Sequence, residues 1–150
     1  MKIAFASDHA GFAYKITLVK ELQAAGYDIL DLGTHDENPS DYPDHAADVA
    51  KAIQAGQAER GILVCGSGVG VSVAVNKFKG IRAGVCHDTY SAHQSVEHDD
   101  VNVLCIGQRV VGIELAREII KSFLNARFSK EDRHQRRLDK VLAMESENMK

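Results

Sequence analysis

Gly61-Ile62-Leu63-Val64-Cys65-Gly66-Ser67-Gly68-Val69-Gly70 decides the fold of this 150-residue chain. Four residues of an apolar run end in a thiol, three glycines follow, and Val71 to Lys77 reads as a helix. A strand that turns through glycines into a helix aims several backbone N–H groups at one point. The first N–H groups of a helix lack internal partners and carry the positive end of its dipole, so that point suits an anion. The same field favours thiolate over thiol at Cys65. A potential base therefore stands beside a place where an oxyanion can form, as carbon-acid chemistry requires. The plainer reading, a Gly-rich turn beside a buried structural cysteine, stays open on these ten residues alone.

Outward from this stretch, strands and helices alternate. Ile3 to Ala6 reads as a buried strand, and Ala13 to Ala25 as a helix with Ile16, Val19, Leu22 and Ala25 at helical spacing, stopped by Gly26. Tyr27 to Leu32 is a second strand. The segment from Gly33 to Pro43 holds both prolines with several Asp, Asn and Ser residues and reads as loop. A helix over Ala46 to Ala55, a third strand over Ile62 to Cys65, a fourth over Ile81 to Cys86 and a fifth over Val101 to Ile106 follow. Thr89 to Glu97 forms a short helix between the last two strands, and Val110 to Ala126 an amphipathic one. This pattern predicts a single α/β domain over 1–150. It is Rossmann-like and doubly wound, a five-stranded parallel sheet with helices on both faces. The charged stretch of about 131–149, with Leu138, Val141, Leu142 and Met144, predicts a C-terminal helix that packs outside the sheet, on a partner subunit.

Composition narrows the function. A net charge of −3 offers no basic footprint for nucleic acid. Four apolar residues after Lys2 are too few for a signal peptide or a membrane span. Three cysteines make a poor disulfide framework, which points to reduced thiols and a cytoplasmic setting. No Cys-x-x-Cys or His-x-x-x-His spacing occurs, so neither a metal nor a cofactor is expected. The glycines after the third strand lack the G-x-G-x-x-G register, and no Gly-Lys-Ser/Thr follows them, which argues against nucleotide binding.

Ligands of an open parallel sheet bind outside the carboxyl ends of its strands. Asp8 and His9 follow the first strand, Cys65 to Gly70 the third, His87 and Asp88 the fourth, and Gly107-Gln108-Arg109 the fifth. His98 and Asp99 precede the fifth strand, so topology places them away from that edge unless a second subunit brings them in. Asp8 also reads as a helix cap and His98 as a surface histidine. Arg133 and Arg137, one helical turn apart, suit either a solvated face or a phosphate dianion.

Together these residues resemble the ribose-5-phosphate isomerase B family, within the group that includes galactose-6-phosphate isomerase subunits. The likeness runs from Met1 to about Arg137. It rests on Ser7-Asp8-His9-Ala10-Gly11-Phe12, Asp41-Tyr42-Pro43, Cys65 to Gly70, Asn76-Lys77-Phe78, Gly80-Ile81-Arg82-Ala83, Asn102-Val103-Leu104, Gly107 to Gly112 and Arg133-His134-Gln135. It implies a metal-independent interconversion of an aldose phosphate and a ketose phosphate through an enediolate, with ribose 5-phosphate and ribulose 5-phosphate as the default pair. In the family pattern Cys65 matches the base and Ser67 the hydroxyl that helps move the proton between oxygens. The amides of Gly66, Gly68, Val69 and Gly70 match the enediolate cradle. His98 with Asp8 matches the ring-opening pair, and His9, Arg109, Arg133 and Arg137 match phosphate-binding positions. The family site lies between subunits of a homo-oligomer, a dimer or tetramer. Asp99 stands where the ribose enzymes usually carry asparagine, which keeps a tetrose or hexose phosphate open. A cysteine hydrolase using Cys65 and His98, or a non-catalytic sugar-phosphate sensor, are the rival classes.

Overall fold

In the computed structural model, which describes residues 1–150, five strands form one all-parallel sheet: β1 (Lys2–Ser7), β2 (Asp28–Asp31), β3 (Arg60–Cys65), β4 (Ala83–Val85) and β5 (Val103–Gly107). Their order across the sheet is β2-β1-β3-β5-β4, so the last strand inserts between the third and the fourth. Six helices connect or cover them: α1 (Phe12–Ala24), α2 (Tyr42–Gln54), α3 (Val69–Val75), α4 (Thr89–Asp99), α5 (Ile113–Asn125) and α6 (Asp132–Asn148). No helix is long and apolar enough to cross a membrane. The doubly wound α/β architecture follows from strands buried on both faces, whose apolar residues run without alternation.

The two faces carry separate cores. Ile3, Phe5, Ile62, Val64, Leu104 and Ile106 pack under α1, α4 and α5, with Phe123 fully buried among them. Ala4, Ala6, Leu63, Cys65, Val103 and Cys105 face α2 and α3. Burial of each large apolar side chain contributes about 1.5–3 kcal/mol. Lys15 of α1 is also buried, with its Nζ paired to Asp31 Oδ1 at the end of β2, which spares an isolated charge the cost of desolvation.

Element boundaries depart from the sequence reading where side chains override the apolar pattern. α2 begins at Tyr42, not Ala46, because Pro43 occupies its first turn, where a missing N–H costs nothing. β4 spans three residues because Asn76 brackets its start: the Asn76 amide accepts from Ala83 N–H at 2.9 Å and donates to Ala83 C=O at 3.1 Å. Asn102 holds the preceding turn in the same way, through Arg82 N–H and Gly80 C=O. α6 packs on its own chain through buried His134 and Leu138, and Glu145 Oε1 accepts from Gly80 N–H at 3.0 Å. Arg133, Arg137 and Met144 lie exposed to one side of that contact.

Candidate active site

The turn after β3 is held from within and from β5. Gly68 caps α3 at φ +79°, the left-handed region that a side chain disfavours. Its N–H points at Cys65 Sγ, 3.1 Å away, a contact that a thiolate accepts well. Val69 N–H donates to Ser67 Oγ at 3.1 Å. Beyond the strand ends the β3–β5 ladder continues, with Gln108 N–H on Cys65 C=O at 2.8 Å and Arg109 N–H on Gly66 C=O at 3.0 Å. That extension brings Arg109 over the turn: a Cβ on Gly66 would lie 3.0 Å from Arg109 Nη1. Gly107 approaches Ser67 so closely that a Cβ there would lie 2.6 Å from the Ser67 carbonyl carbon. The ring of Tyr42 covers Gly70, 2.9 Å from where its Cβ would be.

His87 supports the same turn. Its Nε2 accepts from Gly107 N–H at 2.9 Å, which requires an unprotonated Nε2. Burial holds the His87 pKa below its ordinary value, with Asp88 opposing weakly. The three thiols are free but differ in surroundings. Burial pushes Cys86 and Cys105 up, Cys105 strongly, so both remain inert thiols in the core. Cys65, the last residue of β3, is the one with a backbone N–H aimed at its sulfur.

At the end of β1, Asp8 is buried and its Oδ1 accepts from Gly11 N–H at 3.1 Å, capping the short turn His9–Gly11. His9 is exposed, and its Nδ1 accepts from Ser40 N–H at 3.1 Å, which docks the loop before α2. Gln108 Oε1 accepts from Tyr14 N–H and ties α1 to the turn after β5. Asp8, His9, Cys65 to Gly70, His87 and Arg109 thus gather along one carboxyl edge.

His98, Asp99, Arg133 and Arg137 do not join them. α4 runs back from the end of β4 to the start of β5, so His98 and Asp99 lie at the amino edge, beside Asp100 and its partner Arg82. There the His98 ring stacks on His134 of α6, with centroids 4.2 Å apart. His134 Nδ1 in turn meets Ser129 Oγ at 2.5 Å, and Ser129 N–H donates to Glu97 C=O at 3.0 Å. The start of α6 is thereby pinned to the end of α4, with Arg133 and Arg137 turned outward. A strand's length, about 17–20 Å, separates this group from Cys65 in one chain.

Tyr42 belongs to the family pattern Asp41-Tyr42-Pro43, but its packing over Gly70 shows only in the fold. His87 stands at the expected edge, and its tie to Gly107 depends on β5 lying between β3 and β4. No cluster of three or more His, Cys, Asp or Glu side chains is placed to hold a metal.

Comparison with known proteins agrees along nearly the whole chain. The family model described as Ribose/Galactose Isomerase matches residues 3–141. Ribose-5-phosphate isomerase B of Escherichia coli is 47% identical over 144 residues, 96% of each chain. D-erythrulose-4-phosphate isomerase 2 of Mycolicibacterium smegmatis is 40% identical over 149 residues, 97% of each. The solved ribose-5-phosphate isomerase B of Clostridium thermocellum superposes with a TM-score of 0.95 at 44% identity, covering 98% of this chain and 99% of that one.

Proposed function

From the premise that the chain belongs to the ribose/galactose isomerase family and is an aldose–ketose isomerase, we propose that it interconverts ribose 5-phosphate and ribulose 5-phosphate through an enediolate, with Cys65 as the base. The observation that carries this reading is the Cys65 sulfur held at the mouth of the glycine turn, with the Gly68 N–H aimed at it from 3.1 Å. Cys65 takes the proton from one carbon of the open-chain sugar and returns it to the neighbour. Ser67 relays the hydroxyl proton, and the amides of Gly66 to Gly70 receive the negative oxygen. That charge exists only during reaction, so donors fixed in advance lower the barrier selectively.

His98 with Asp8 opens the sugar ring, and His9, Arg109, Arg133 and Arg137 hold the phosphate. Because the two halves of this set stand at opposite edges of one sheet, a second copy of the chain completes each site, with α4 and α6 of one protomer facing the Cys65 turn of the other. The exposed apolar side chains Val69, Val73 and Tyr90, on α3 and at the start of α4, support a covered face there. A tetrose or hexose phosphate is the second reading, kept open by Asp99: a carboxylate only accepts from sugar hydroxyls and repels phosphate, whereas the usual asparagine amide both accepts and donates and carries no charge.

Initial rates on four-, five- and six-carbon aldose phosphates decide between the substrates. Cys65→Ser tests the base: turnover and exchange of solvent deuterium into the sugar phosphate should both fall by about 10²–10⁴, with ligand binding retained. A variant that keeps a tenth of wild-type turnover refutes Cys65 as the base.

A further inference from the structure

Gln94 lies one helical turn before His98 on α4, and its amide nitrogen serves two neighbours at once. Nε2 stands 3.0 Å from Asp99 Oδ2 and 3.3 Å from His98 Nδ1. An ionised carboxylate only accepts hydrogen bonds, so Asp99 requires the NH₂ end of the amide on its side. The second hydrogen of the same nitrogen then points at Nδ1. Turning the amide over would set its oxygen against the carboxylate and lose both contacts.

We propose that Gln94, oriented by Asp99, is a positioning residue that keeps Nδ1 of His98 a lone-pair acceptor and so confines the ring proton to Nε2. The inference rests on the ring-opening role proposed for His98, and it specifies the form in which His98 acts. Other groups face the ring without competing for Nδ1. His134 of α6 covers one face, and Glu97 Oε1 lies 3.9 Å from Nε2, the nitrogen that carries the proton. Behind His134 stand Ser129 Oγ and Glu131 Oε2, the latter 3.7 Å from His134 Nδ1. His98 therefore meets a sugar oxygen as a donor at Nε2. An asparagine at position 99 presents both a donor and an acceptor, tolerates either orientation of the Gln94 amide and leaves the tautomer unspecified. Asp99 thus acts through Gln94 on the histidine beside it.

The test uses the full-length protein labelled with ¹⁵N at histidine and reads long-range ¹H–¹⁵N correlations at neutral pH, with His98 assigned by its loss in His98→Asn. The wild type should show the Nε2–H form of His98 alone. Asp99→Asn and Gln94→Leu should each produce a mixture of tautomers, and Gln94→Glu, which accepts at that position, should move the proton to Nδ1. A wild-type His98 protonated at Nδ1, or a tautomer indifferent to all three substitutions, overturns the clamp. Rates separate this from the underlying reading. Gln94→Leu should lose roughly ten- to a hundredfold in kcat on a cyclic aldose phosphate, with a smaller loss on a substrate that cannot cyclise. A tautomer that shifts while both rates stay equal to wild type supports the clamp and refutes ring opening by His98.

Discussion

Gly107→Ala probes how tightly the site turn is held from β5. The added methyl would lie 2.6 Å from the Ser67 carbonyl carbon, 2.7 Å from its oxygen and 2.8 Å from Val110 Cγ2. Ordinary contact begins at 3.4 Å, so the Ser67 backbone must retreat by about 0.8 Å. Backbone cannot rotate aside as a side chain does, and overpacking of this kind costs about 1–3 kcal/mol. In a chain of this length that corresponds to a drop in Tm of roughly 2–4 °C per kcal/mol. The larger effect falls on turnover, because a displacement near 1 Å in a reacting geometry costs about 10²-fold. Urea unfolding followed by circular dichroism, with the slope unchanged, reads the first effect, and initial isomerase rates read the second. Gly66→Ala is the contrast. Its methyl meets only the flexible end of Arg109 at 3.0 Å, so stability should stay within about 0.5 kcal/mol while KM for the phosphosugar rises. If Gly107→Ala retains wild-type stability and more than half of wild-type kcat, the turn is not braced by β5 and the reasoning fails.

The two-copy site proposed above predicts complementation. Inactive Cys65→Ser chains mixed with inactive Arg137→Ala chains should regain activity after subunit exchange, since some hybrid sites carry neither lesion. No recovery after confirmed exchange refutes a site built from two copies. His87 predicts a pH dependence: its folded pKa lies below its unfolded value, so the unfolded chain binds the extra proton first. Its contribution to stability is complete above the unfolded value of about 6.5 and is lost as pH falls through the folded one. His87→Gln, which has no titrating ring, should flatten the stability curve below pH 6.5, and an unchanged slope there contradicts the depression of the His87 pKa by burial.

The alternation of apolar runs with glycine-stopped helices made the sheet legible, because both signals are local. Gly26 and Gly56 each stand just past a helix, as positive φ values of 96° and 74° demand. The Cys65 to Gly70 turn was legible for the same reason. The strand order was not: no residue of β4 announces that β5 lies between it and β3, since pairing is decided by contacts made some forty residues apart. Asn76 and Asn102 belonged to the family pattern, yet their work is structural, bracketing Ala83, Arg82 and Gly80. His98 was readable as chemistry and Gln94 stands one helical turn before it, but His134 meets its ring only once α4 and α6 pack together.

That strand order also sets a schedule for synthesis. β4 leaves the ribosome before its only partner in the sheet exists, and until β5 follows it is tied by hydrogen bonds to Asn76 at the end of α3. Carbonyls of Cys65 and Gly66 likewise wait for the amides of Gln108 and Arg109. A nascent chain paused before residue 103 has its glycine turn made but unbraced, and the right-hand edge of β3 open to any other strand. The segment that closes the sheet is thus the one that braces the glycine turn, so the chain fixes that turn and covers the open edge of β3 in the same event.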